Sequence, residues 1–286
     1  MRRTFLRFPG FKRKAVTLSY DDGIRQDKRL IEIMQKNGIK GTFNINSGMF
    51  SNELRADGKG RMTKEEAVSL YSNSGMEVAV HGYKHRSLAE IDIAAATDDI
   101  ITDRKELEEI FGCVIKGMAY ANGSYSDKVV AMLDICGINY SRTTISTENF
   151  VIPEDWLRMP ATCHHNNPKL MELAKAFVEE QEQAYYWRNF PKLFYLWGHS
   201  YEFDNCDNWN VIEEFCEYVG NRDDIYYATN GEIFDYVKAY DNLQFSAQGT
   251  FVYNQTSPNW STPPHLQNNH SLTPDYLELT KMSKVS

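Results

Sequence analysis

"TKEEAVSLYSNSGMEVAVHG", residues 63–82, carries a helix start, a stop, an extended segment and a reactive side chain in that order. Thr63 with Glu66 three positions on is a capping-box pattern, in which each side chain satisfies a free backbone N–H at a helix N-terminus. Gly75 closes the helix, because glycine adopts the left-handed C-terminal conformation cheaply. The extended segment that follows runs straight into His81.

The same unit recurs on both sides. Upstream, "KAVTLSY" reads as a strand, "QDKRLIEIMQKNG" as a helix closed by Gly38, and "IKGTFNIN" as the next strand. Downstream, "AAATDDIITDRKELEEIFG" leads into "CVIKGMAYANG", "SDKVVAMLDICG" into "INYSRTT", and "NVIEEFCEYVG" into "DIYYAT". Five times a helical segment ends in Gly and an extended one follows. Such alternation means a parallel sheet with both faces covered. No G-x-G-x-x-G follows the first strand, which disfavours a dinucleotide-binding fold. The expected fold class is α/β, as a closed or partly closed, distorted (β/α) barrel.

At 286 residues the chain can bury a large core as one barrel or as two smaller domains. The net charge of −8 implies no basic face, so neither nucleic acid nor an anionic membrane is an expected partner. Seventeen Tyr and five Trp would suit sugar stacking, although ordinary core and surface roles account for most of them. Cys113, Cys136, Cys163, Cys206 and Cys216 are odd in number with no C-x-x-C pair, which reads as reduced thiols. "TFLRFPGFKRK" has no continuous apolar stretch, so the expected location is cytoplasmic, or extracellular or cell-surface if a leader precedes this sequence. Residues 1–253 are expected to form the catalytic domain. Residues 254–286, rich in Asn, Ser, Thr and Pro, read as a poorly ordered polar tail whose sequons at Asn254, Asn259 and Asn269 arise from composition.

In β/α barrels chemistry sits at the C-terminal ends of the strands. The first strand ends in Asp21 and Asp22, "EVAV" runs into His81 with His85 four residues on, and "KLFYLWG" ends in His199. Each alone has a plain explanation: Asp-Asp-Gly is common turn chemistry, and histidines four apart arise often. Together they supply two carboxylates and three imidazoles. Two His and one carboxylate leave open positions on a divalent ion. A second carboxylate can act as base, and a separate histidine can protonate a leaving group. This is the layout of a metal-assisted hydrolase.

At this point the sequence resembles the polysaccharide deacetylases, carbohydrate esterase family 4 with the NodB homology domain, over roughly residues 14 to 240. "LSYDDG" is similar to the family's T-F-D-D-G, "HGYKH" to H-[ST]-x-x-H, "AYANGSY" to the R-P-P-Y-G segment, and "LWGHS" to the late L-H motif. The resemblance implies Asp21 as catalytic base, Asp22, His81 and His85 as ligands of a divalent ion (Zn²⁺ first, with Co²⁺ or Ni²⁺ as alternatives), and His199 as general acid. It implies that the Asn122 N–H supplies the oxyanion donor, since Ala121 and Asn122 stand where the family has Pro and Tyr. The implied reaction is deacetylation of a glycan, foremost N-deacetylation of N-acetylhexosamine units. A metal-dependent amidohydrolase of a small non-glycan amide and a non-catalytic carbohydrate-binding relative are the alternatives.

Gly82 replaces the family's Ser/Thr, removing a hydroxyl that braces the metal loop. "PEDWLR" is a loose echo of the family's fourth motif, with Asp155, Trp156 and Arg158 as its candidates. Asp155, or another acid, is expected within reach of His199 to keep it protonated. His164 and His165 in "TCHHNN" are read as a polar loop before the helix "PKLMELAKAFVEEQ", with a groove-lining role or a second metal as the alternatives.

Overall fold

In chain order the elements are β1 (Lys14–Asp21), α1 (Asp27–Lys36), β2 (Gly41–Ile45), α2 (Lys64–Tyr71), β3 (Glu77–Val80), α3 (Ile93–Phe111), β4 (Gly117–Ala119) and α4 (Asp127–Ile135). The chain continues through β5 (Tyr140–Ser146), β6 (Met159–Ala161), β7 (Cys163–His164), α5 (Leu170–Glu179), β8 (Lys192–Gly198), α6 (Tyr201–Asn205), α7 (Trp209–Val219), β9 (Ile225–Tyr227) and α8 (Asn230–Asp241). A hairpin of β10 (Leu243–Phe245) and β11 (Val252–Asn254) follows. The structure, a computed structural model, describes residues 3, 6–53, 56, 58–185, 188–247 and 252–254. Asn254 therefore belongs to a strand, and the rest of the expected tail lies outside the described residues.

The main sheet is parallel and runs β6-β5-β4-β3-β2-β1-β8-β7. Its two ends are one stretch of chain, because only Thr162 separates β6 from β7. Thr162 N donates to Tyr195 O at 2.8 Å, while Thr162 O accepts from Glu148 N at 2.9 Å. Its hydroxyl also accepts from Tyr195 N at 3.0 Å. Thr162 thus closes the ring between β5 and β8. The distortion lies elsewhere: β2 pairs with β1 only from Leu18 onward, and β9 fills the vacated half beside Lys14–Val16.

Pleating sorts the side chains. Val16, Leu18 and Tyr20 of β1 face the helices, with Phe43, Ile45, Phe194 and Leu196 in the same layer. Ala15, Thr17, Ser19 and Asp21 alternate with them and face the barrel interior. Its N-terminal end is plugged by the start of α8. Glu77 accepts from Gly231 N (2.8 Å), Thr42 Oγ1 (2.8 Å) and Tyr140 OH (2.7 Å), and Asn230 donates to Tyr195 OH (2.8 Å). These partners satisfy groups whose burial would otherwise be costly.

The local expectations hold with one exception. Thr63 and Glu66 form the capping box. Gly38, Gly75, Gly112 and Gly137 take positive φ, but Gly220 does not, at φ −78. Gly220 is needed for space: a Cβ there would lie 2.5 Å from Asn37 O. Among the described residues no helix is long and apolar enough to cross a membrane.

Candidate active site

The inward alternation runs to the last residue of β1 and continues one residue past β3 and β8. Counting by twos, β1 ends on Asp21, β3 delivers His81, and β8 delivers His199 at the same rim. Asp22 follows with φ +87 and His85 with φ +52, a left-handed conformation unusual for such residues and typical of sites held by their surroundings. The two twists turn these side chains back over the rim. One ligating atom each from Asp22, His81 and His85 falls within 4.8 Å of the others. His85 Nε2 lies 3.6 Å and His81 Nε2 4.0 Å from Asp22 Oδ1.

This trio fits a divalent ion. His81 Nδ1 is 2.9 Å from Ala119 O, so the ring donates there and turns its Nε2 lone pair to the carboxylates. That Nε2 is buried and has no hydrogen-bond partner. Burial also lowers the imidazole's proton affinity, which keeps the lone pair free. A buried acceptor aimed at a half-buried carboxylate and a second imidazole is the donor chemistry of a Zn²⁺-type site.

The loop carrying the two histidines is braced by carboxylates. Asp103 accepts from His81 N (3.1 Å) and from Ser47 N and Oγ (2.7 Å each). Asp99 accepts from Lys84 N at 3.3 Å, and Asn46 Nδ2 donates to His81 O and Gly82 O at 2.8 and 2.6 Å. Gly82 has φ +83, and a Cβ there would meet Asp99 Oδ2 at 2.8 Å. Asp99 and Asp103 of α3 thus brace the loop with no hydroxyl at Gly82.

Asp21 is buried and already engaged on both oxygens: Asn44 Nδ2 donates to Oδ1 at 2.8 Å, and the buried Arg142 guanidinium pairs with Oδ2. Burial would raise its pKa, but the charges of Arg142, His81 and His199 outweigh it and hold Asp21 at about 2. His199 Nε2 stands 3.9 Å from Asp21 Oδ2. Burial lowers the His199 pKa, but Glu202, Asp21 and Asp22 more than offset it, and the net shift is upward.

The acid beside His199 is Glu202, not Asp155. Glu202 Oε1 lies 3.5 Å from His199 Nδ1, three residues on and in the first turn of α6. Asp155 instead accepts from Leu157 N (3.1 Å) and pairs with Arg158 (2.7 Å), while Trp156 packs edge-on against Phe234 of α8. These three serve the fold. Asn122, exposed and at φ +55, sits on the turn after β4, with its side chain donating to Ser87 Oγ at 3.1 Å.

Three residues at the site escaped sequence reasoning. Arg142 had a signal, since an arginine inside a strand that must be buried needs a partner. Glu202 had a weaker one, its i,i+3 spacing from His199. Arg61 had none: a bridge between Arg61 and Ile24 carries its guanidinium to Asp22 Oδ1 (3.1 Å), the Asp22 carbonyl oxygen and Asn46 Oδ1 (2.8 Å). His164 and His165 do not line an unrelated loop; both approach Glu202.

Glu202→Gln is expected to lower the His199 pKa, because it removes the nearest negative charge. If His199 must be protonated, the alkaline limb of kcat moves to lower pH in that variant. A pH–rate profile with an unmoved alkaline limb rejects this coupling.

The fold is a distorted (β/α) barrel with its reactive groups gathered at the C-terminal rim of the strands, the rim where such barrels carry their chemistry. Residues 9–141 match the family model described as polysaccharide deacetylase. Among solved structures, the chain is similar to a Mycobacterium smegmatis protein assigned as a polysaccharide deacetylase (17% identity, TM-score 0.57, covering 82% of this chain and 94% of that one). It is also similar to a family 4 carbohydrate esterase from Streptomyces lividans in complex with acetate (13% identity, TM-score 0.50, 76% and 93%). A third similarity, to the Streptococcus pyogenes deacetylase PplD in complex with acetate, has 18% identity and TM-score 0.41 and covers 45% of this chain and 55% of that one. Among curated proteins, none matches this sequence.

Proposed function

We propose that the protein is a metal-dependent hydrolase that removes acetyl groups from a glycan, foremost the N-acetyl group of hexosamine units. One observation carries the reading: Asp22, His81 and His85 converge beside a buried ionised carboxylate, Asp21, which in turn faces His199. The match of residues 9–141 to polysaccharide deacetylases supports the substrate class.

In this reading Asp22, His81 and His85 hold the divalent ion. When bound, that ion supplies Lewis-acid polarisation of the acetyl carbonyl and acidifies the attacking water, which a base as weak as Asp21 requires. Asp21 takes the proton as water attacks. Asn44 and Arg142 fix its carboxylate, so little reorganisation accompanies the transfer. The Asn122 backbone N–H donates to the developing oxyanion. His199, its charge favoured by Glu202, returns a proton to the departing amine. Zn²⁺ is the proposed ion, with Co²⁺ or Ni²⁺ able to substitute.

The test is acetate release from chitooligosaccharides by chelated protein with and without added Zn²⁺ or Co²⁺. Release that returns with metal is expected. Metal-restored hydrolysis of small amides alone moves the substrate away from glycans, and oligosaccharide binding without release makes the protein a non-catalytic relative. His81→Ala should purify without stoichiometric metal and without acetate release; metal retained at one equivalent would overturn the ligand assignment.

A further inference from the structure

Glu202 stands at the centre of three imidazoles. His165 Nε2 lies 2.8 Å and His164 Nε2 3.2 Å from its Oε2, while His199 Nδ1 lies 3.5 Å from its Oε1. The tautomer of His164 follows from its backbone. Asn166 N donates to His164 Nδ1 at 3.1 Å, so Nδ1 presents a lone pair and the ring proton sits on Nε2, facing Glu202. The ring is held edge-to-face against Trp197, with centroids 4.5 Å apart. His165 is fully buried between Tyr20 and Phe203, at centroid distances of 5.7 and 4.2 Å. Gly198 makes room for it, since a Cβ there would lie 2.1 Å from His165 Nδ1.

We propose that His164 and His165 are positioning residues for the acid step: they fix Oε2 of Glu202 so that Oε1 is presented to His199. This rests on the reading of His199 as general acid. A long carboxylate at the start of a five-residue helix has several rotamers, and only one faces His199. Two ring nitrogens lie against Oε2, and Asn166 Nδ2 donates to the same oxygen at 3.5 Å, which together select it. The same three side chains are close enough to hold a cation, with donor atoms within 4.8 Å. A cation would need the Nε2 lone pair of His164, and the Asn166 amide places that lone pair on Nδ1. The geometry therefore favours a hydrogen bond to the carboxylate.

The experiment compares wild type, His164→Ala, His164→Gln and His199→Ala on an N-acetylated oligosaccharide and on an activated aryl acetate, whose leaving group departs without a proton. His164→Ala should lower kcat on the amide by about 10–100-fold, the usual cost of removing an orienting partner, with KM and aryl acetate turnover little changed. His164→Gln, whose amide can donate to Glu202, should recover most of the loss. His164→Phe keeps the ring against Trp197 without the donor and carries the same expectation as Ala if the alanine variant does not fold. Equal losses on both substrates, a change confined to KM, or no rescue by Gln would overturn the proposal. Loss of one metal equivalent in His164→Ala would also overturn it and make the trio a cation site. If His199→Ala itself spares neither substrate selectively, the general-acid reading fails and the proposal with it. If His199→Ala is selective and the His164 variants are not, the positioning proposal alone fails.

Discussion

Asp21→Asn is expected to cut turnover by about 10²–10⁴-fold, the usual cost of removing a general base, and to leave bound metal near one equivalent. Distance to His81 does not separate the two aspartates, since its Nε2 is 3.8 Å from Asp21 Oδ2 and 4.0 Å from Asp22 Oδ1. Their other partners do. Asp21 has its oxygens committed to Asn44 and Arg142, whereas Asp22 Oδ1 also faces His85 Nε2 at 3.6 Å and lies nearer solvent. Asp22 Oδ1 shares the Arg61 guanidinium at 3.1 Å but stands between the two imidazoles as the ligand, and Asp21 is the fixed base. The asparagine keeps an oxygen for Asn44 but turns an amide N–H₂ toward Arg142, so some loss of stability accompanies the loss of rate. Acetate release measured with metal content on the same samples checks the division of labour. Loss of metal together with activity would show that both carboxylates are ligands.

Arg142→Met should destabilise the chelated protein by about 3–5 kcal/mol, the range seen when one partner of a buried ion pair is removed. Met fills much of the space beside Trp197, over whose ring the guanidinium now lies at 4.3 Å, but it leaves the Asp21 charge with Asn44 alone. The pH dependence has a definite sign. Asp21 is held at about 2 in the folded protein, so its contribution is complete above the unfolded carboxylate pKa of about 3.9 and is lost as pH falls toward 2. Without Arg142, burial raises the folded pKa, so the variant's deficit is largest near neutral pH and shrinks as Asp21 protonates. Adding Asp21→Asn removes the unpaired charge and should recover part of the stability. Denaturant unfolding of the two single variants and the double variant measures this; a double variant no more stable than Arg142→Met would count against a buried-charge origin.

Most of the fold was legible because helix stops and strand runs are local. Thr63, Glu66, Gly38, Gly75, Gly112 and Gly137 act within a few residues of themselves, and the structure repeats their reading. Gly220 shows the limit, since its requirement comes from Asn37, a residue far away in sequence. The ring closure at Thr162 was not legible either, because a three-residue and a two-residue strand give no period to read.

The sequence by itself determined which residues stand at strand ends, because a strand of fixed pleat delivers its next residue to a known rim. That rim gathers Asp21, Asp22, His81, His85 and His199. Only the tertiary structure decided how they are divided. Arg142 arrives from β5, Arg61 from the segment before α2, and Glu202 from a helix start, and each fixes the charge or orientation of a group it meets only after folding. Long-range electrostatic pairing has no period in sequence, so the choice of base, ligand and acid is made by packing.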